Sequence, residues 1–333
     1  MSHAEAPLAY PAMPAPTARS FGWLMLFLMA TFLANVVLTF WFDWPGIAPV
    51  MGWNDEPATV LSYAQFASYL VAAGGAIFYA LSTSHRTLRA DALRIALFNQ
   101  FLIRAAFWVV FLVGLADAVI SFLRVEDLLP DLVGEEMTSE LGKSSFRGLY
   151  VHVPVVLLGI LIAAITRGLG FIWLALLVVL AELLIVLSRF IFSYEQAFMG
   201  DLVRFWYASL FLFASAYTLY NDGHVRVDVL YTGMGRQTRG RVNAMGSILL
   251  GMTLCWTILL LGMWSKSAVI ISPILVFETT QAGFGMYVKY FMAGFLGIFS
   301  VTMLIQFVSY YLEATADRRG EEGAREAAGA AAH

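Results

Sequence analysis

Charge is scarce in this chain. Of its 333 residues only 13% are Asp, Glu, Lys or Arg, while 60% are hydrophobic. Soluble domains carry about a quarter charged residues to cover their surface, so one large soluble helical protein is a poor reading. Cysteine is scarcer still. Cys255 stands alone inside an apolar run. One thiol makes no internal disulfide and no CxxC metal or redox motif. There is no P-loop, no HExxH and no GxSxG. Gly233-Met234-Gly235 lies between two apolar runs and lacks the strand a dinucleotide loop needs. No basic patch interleaved with aromatics suggests nucleic acid, and a net charge of −3 says little about partners. Internal repeats are missing too. So are paired Gly/Pro-broken segments, the usual pointer to a transporter's own binding site.

What is present is a series of long apolar runs. A membrane span needs about 20 apolar residues and must satisfy its own backbone groups. Eight segments approach that standard: Phe21–Phe42, Thr59–Leu81, Ile95–Leu123, Leu149–Ile165, Leu169–Ser188, Asp201–Leu219, Val242–Trp264 and Tyr287–Leu312. The first exceeds a signal-peptide core and has no small-x-small cleavage site after it, so it reads as a retained helix. The expected fold is an all-α integral membrane protein with about eight transmembrane helices.

Basic residues set the expected orientation. With the N-terminus inside, the cytoplasmic segments hold twelve Arg, from Arg19 to Arg325, and the outer segments hold five Lys or Arg: Arg124, Lys143, Arg147, Arg189 and Lys266. Both termini are therefore expected to be cytoplasmic. Residues 1–20, rich in Ala and Pro, read as a disordered leader. Residues 313–333 read as a mobile cytoplasmic tail. The connection from Arg124 to Gly148 is the longest outer loop, and it is acidic.

Ionisable residues within spans are costly and often mark function. Arg104 falls about ten residues into the third segment, which places it near mid-bilayer. Asp117 on the same segment and Glu182 on the fifth lie nearer the outer face. As a set, Arg104, Asp117 and Glu182 read either as an ion or proton path or as an interhelical clamp. A relay needs a longer chain of carboxylates or His, which favours the clamp. Arg189 and Asp201 close the fifth span and open the sixth, where pairing of Arg189 with Glu195 or Asp201 would brace an interface. His152 and His224 fall on opposite sides of the membrane, so they cannot share a haem. No metal, cofactor or enzymatic activity is expected.

The polar stretch Asn221-Asp222-Gly223-His224-Val225-Arg226-Val227-Asp228 separates two of the runs. His224, Arg226 and Asp228 alternate with valines, which suits a segment lying at the membrane interface. Arg226 is suited to a lipid phosphate or a carboxylate through its bidentate fork. Asp228 is placed to hold Arg226 or to cap a short interfacial helix.

These residues carry a resemblance. Ser188-Arg189-Phe190-Ile191-Phe192-Ser193, then Asp201, then Gly223-His224-Val225-Arg226-Val227-Asp228 with Tyr231, the basic run Arg236–Arg241, and Tyr287-Val288-Lys289-Tyr290 together resemble the small membrane subunit of TRAP transporters, the DctQ-like family. The resemblance spans roughly Leu169 to Glu313. It departs from the usual pattern where Phe198 replaces a Trp and Gly200 takes the place of one member of an acidic pair. It also implies a division of the chain: residues 21–165 as an N-terminal extension of four helices and 166–312 as the DctQ-like four-helix domain. The implied role is a scaffold subunit of a tripartite importer in a bacterial inner membrane. Its partners would be a large membrane subunit, a periplasmic substrate-binding protein and membrane lipids. The implied cargo is an organic anion, typically a carboxylate, moved by an ion gradient. The rival reading is an autonomous transporter or channel that uses Arg104, Asp117 and Glu182.

Overall fold

The structure is a computed structural model that describes residues 14–167, 171–191, 193–194, 197–221, 231, 233–279 and 285–323. Among these residues it is helical, with no strand. Eight long helices carry the chain: α1 Pro16–Trp41, α2 Val60–Ser82, α3 Leu88–Val125, α4 Ser144–Ile165, α5 Phe171–Ile191, α6 Ala197–Tyr220, α7 Arg236–Met263 and α8 Lys289–Arg318. Seven of them, all but α5, are long and apolar enough among the described residues to cross a membrane. The 21 residues of α5 span about 30 Å, the thickness of a hydrocarbon core. Each of the eight apolar runs read from the sequence corresponds to one of these helices.

The helix ends differ from the hydropathy edges because polar side chains at those ends are tied down. α1 starts at Pro16, a residue pre-set for a first helical turn. The last residues of the expected 1–20 leader are therefore helical, and Arg19 is fully buried. α8 runs on to Arg318, past the expected end at Leu312. Glu313 and Asp317 accept bonds there from Arg89, at 2.5 and 2.8 Å. The acidic connection 124–148 is not an open loop. It contains the short helices Leu129–Val133 and Glu135–Leu141, and the second begins on Glu135 and Glu136, acids that complement the helix dipole.

The chain forms two compact units. One is drawn from Met1–Ala96, His224–Thr253 and Leu304–His333, the other from Leu97–Gly223 and Leu254–Met303. Each takes residues from both sides of position 166. In the first unit α1 and α2 pack through small and polar groups. Asn35 donates to Ser68 Oγ at 2.9 Å, Gln65 donates to Thr39 Oγ1 at 3.0 Å, and Ala72, Ala76 and Ala80 are buried. Small residues let helix backbones approach where no hydrophobic force drives association. At Gly240 a Cβ would stand 2.6 Å from the Ala314 carbonyl oxygen, so α7 meets α8 backbone to backbone.

The second unit is built on rings. Phe107, Phe205, Phe213 and Phe295 are each at most 2% exposed. Phe213 meets Phe295 and Phe107 edge-on, with centroids 5.1 and 5.9 Å apart, a favoured aromatic geometry. Leu157, Leu161 and Ile165 of α4 and Val179 and Phe190 of α5 stay exposed, as lipid-facing side chains do.

Candidate functional site

A carboxylate inside a membrane span must be paired and hydrogen-bonded to remain there. Asp117 on α3 is fully buried and meets that requirement three times. Its Oδ1 accepts from Arg147 Nη1 at 2.9 Å and lies 3.0 Å from His152 Nε2. Its Oδ2 accepts from the Tyr287 backbone N–H at 2.7 Å. Because an ionised carboxylate only accepts, Nε2 of His152 carries a proton, and Nδ1 shares a hydrogen bond with the Tyr290 hydroxyl at 2.5 Å. Arg147 is also fully buried. It gives two further bonds to the Leu141 carbonyl, at 3.0 and 2.8 Å, and its guanidinium lies 4.1 Å from the Tyr287 ring centroid. Tyr287 in turn donates to the Gly142 carbonyl at 2.9 Å and accepts from Arg124 at 2.5 Å.

Local backbone makes this convergence possible. Arg147 and His152 are five residues apart, so an α-helix would point them about 140° away from each other. The first part of α4, Arg147–His152, is instead a π-helix, whose wider turn brings residues five apart much closer to one face. Both side chains therefore reach the same oxygen of Asp117. Gly148 sits inside this turn. A Cβ there would come within 2.4 Å of the Phe277 ring, so only glycine lets the turn close on that ring.

The residues singled out from the sequence are dispersed. Asp117 lies at the centre of this network. Arg104 is elsewhere on α3, where its Nε donates to the Ala163 carbonyl at 2.9 Å in the last turn of α4. Since α4 ends two residues later, Arg104 is level with a helix end and not with the middle of that span. Glu182 is exposed on α5. The structure does not bring Arg104, Asp117 and Glu182 together. Arg189 is exposed in the last turn of α5, and Glu195 lies outside the described residues. Asp201 is nearly buried. It accepts from the Met286 backbone N–H at 3.2 Å and lies 3.5 Å from Arg204. His224, Arg226 and Asp228 lie outside the described residues.

Arg147, His152, Tyr287 and Tyr290 were not anticipated as a set. Arg147 reads from the sequence as one charge in an acidic loop, and Tyr287 and Tyr290 read as the aromatic opening of a helix. A usable signal was nevertheless present. A lone acid deep in an apolar run needs a cation, and Arg147 just ahead of the next span and His152 near its start are the nearest basic residues there.

No group of three or more His, Cys, Asp or Glu placed to hold a metal occurs among the described residues. The polar groups of the site are bonded to one another, and no nucleophile is paired with a free base. The fold and site thus define a polytopic helical membrane protein with an internal structural tie. Within it, residues 175–316 match the family described as tripartite ATP-independent periplasmic transporters, DctQ component. That region is therefore similar to the small membrane component of TRAP transporters, a family of transporter components and not of enzymes. No curated protein and no solved structure matches the chain. Tyr287 and Tyr290 fall inside the matched residues, whereas Asp117, Arg147 and His152 precede them.

Proposed function

We propose that the whole chain acts as an enlarged small subunit of a tripartite importer, with the N-terminal helices fastened into the DctQ region as part of one scaffold. The observation that carries this is the buried network. Ahead of residue 175, Asp117 bonds to the Tyr287 N–H, His152 bonds to the Tyr290 hydroxyl and Arg147 stacks on the Tyr287 ring, and both tyrosines are inside the match. A loosely appended extension has no need of a desolvated ion pair at that junction, because such pairs are costly unless fully bonded.

In this reading both termini are cytoplasmic, and the subunit braces a large membrane subunit in a bacterial inner membrane. A periplasmic binding protein delivers an organic anion, a carboxylate in the simplest case, and an ion gradient drives its uptake. His224, Arg226 and Asp228 dock the large subunit or anchor lipid, with Arg189 and Asp201 bracing the opposite end. The connections 43–57 and 124–148 enlarge the outer face that meets the binding protein or the large subunit. The autonomous-transporter alternative loses support because Glu182 is exposed and Asp117 is fully engaged.

The test is a pull-down of tagged full-length protein in mild detergent, read by mass spectrometry. Near-stoichiometric recovery of a multi-span TRAP large subunit supports the scaffold. A chain that is recovered alone, is monodisperse and takes up substrate in liposomes favours the autonomous transporter. Charge reversals at Arg226 and Asp228 should weaken recovery of the large subunit if that loop docks it.

A further inference from the structure

At the turn from α2 into α3 two cations meet no anion among the described residues. Arg86 lies in that connection and Arg94 lies on α3, both in the first compact unit. Both donate through Nη1 to a single neutral acceptor, the Tyr79 hydroxyl, at 2.9 and 3.4 Å. Among the described residues neither guanidinium has a carboxylate within ion-pair distance. The nearby acid Asp91 is committed to Arg19 and Trp23, at 2.7 and 3.0 Å. Two like charges held a few ångströms apart repel, and an anion placed between them removes that cost.

The donors fit one kind of anion. A phenol oxygen accepts through two lone pairs and donates one O–H. With both lone pairs taken by arginines, the Tyr79 O–H becomes a third donor, and the cluster offers donors without an acceptor. Arginine forks suit the oxygens of a phosphate. The surroundings fix the source of the phosphate. Tyr79 is in the last turn of α2, at the end of a candidate membrane span. Phe78 is 72% exposed, Leu81 54% and Leu93 38%, so an apolar face open to acyl chains adjoins the cationic head. Trp23 packs edge-on against Tyr79 with centroids 4.7 Å apart, an aromatic pair of the kind found at membrane interfaces.

We propose that Arg86, Arg94 and Tyr79 form a binding site for the phosphate of an anionic glycerophospholipid, whose acyl chains run along the exposed apolar side chains of α2 and α3. The site lies outside the DctQ match and does not depend on the transport reading.

The experiment is native mass spectrometry of the full-length chain in mild detergent, titrated with phosphatidylglycerol and with phosphatidylcholine of the same acyl chains. Wild type should retain phosphatidylglycerol in preference. R86Q/R94Q should bind it about tenfold or more weakly, the scale expected for two interfacial basic residues, and should lose the preference. R86K/R94K keeps the charge and should keep part of it. Should the double variant fail to fold, the exposed R94Q alone should still lower retention severalfold. Equal retention of both lipids by wild type, or unchanged retention by R94Q and R86Q/R94Q, overturns the proposal. Displacement of phosphatidylglycerol by an equal concentration of glycerol phosphate also overturns it, since the site would then bind a soluble phosphate.

Discussion

Two arginines are buried to the same degree in this protein, and their surroundings differ. Arg19 is 1% exposed and Arg147 0%. Each pairs with one aspartate of α3. Arg19 is well supplied, with Asp91 and three neutral oxygens from Ala80 and Thr83, all within 2.7 Å. Its aspartate is not: among the described residues Asp91 has, beyond Arg19, only the Trp23 side-chain N–H, and its Oδ1 has no hydrogen-bond partner. Asp117 is the reverse case, with Arg147, His152 and the Tyr287 N–H sharing its two oxygens. One carboxylate depends on a single cation and the other has reserves. Equal burial therefore does not mean equal fragility.

That contrast orders the expected losses. Arg19→Met should destabilise most, by about 3–5 kcal/mol, the cost of leaving a buried charge without its partner. Arg147→Met should cost less, about 1–3 kcal/mol, because two donors remain on Asp117. Detergent-solubilised protein followed through an SDS titration, or by its Tm, measures both. Equal losses would refute the idea of reserves. The reserves can also be removed directly. R147M combined with H152L should cost more than the two single changes together, by about 1 kcal/mol or more, because the residues share one carboxylate oxygen. Simple additivity would mean that His152 does not stand in for Arg147.

Next in size comes the backbone that brings Arg147 and His152 together. Gly148→Ala places a methyl 2.4 Å from the Phe277 ring and should cost about 1–3 kcal/mol through overpacking. Gly200→Ala in α6 meets nothing within 4 Å and should be neutral or stabilising. If the two changes had the same effect, helix propensity and not the closed turn would be in control.

The helices were legible in the sequence because lipid imposes a simple rule. A span must be apolar and about 20 residues long; each of the eight runs falls on a helix, and seven of those helices are long and apolar enough to cross a membrane. Their ends were less legible. Hydropathy does not show that Glu313 and Asp317 gather Arg89, or that Arg19 is buried, so α8 was read short and the leader long. The DctQ region was legible from Gly223–Asp228 and its flanks. The central tie was not, because it depends on a π-turn that changes which residues align. A period of 3.6 puts Arg147 and His152 on different faces. No sequence pattern marked Tyr287 as donor to Asp117, since that contact uses a backbone N–H, which every residue but proline has.

Two single-donor changes separate the two sites most sharply, since each removes one neutral donor. Tyr290→Phe takes the hydroxyl from His152 Nδ1 and should cost about 1 kcal/mol, the usual net value of a neutral bond. Trp23→Phe takes from Asp91 the one donor it has besides Arg19 among the described residues, and bonds to charged groups are worth about 1.5–3 kcal/mol. Trp23→Phe should therefore lower Tm more than Tyr290→Phe, although the Tyr290 bond is the shorter, at 2.5 against 3.0 Å. The reverse order would mean that the His152–Tyr290 bond carries the charge balance of its site. Asp117, not Asp91, would then be the aspartate without reserves.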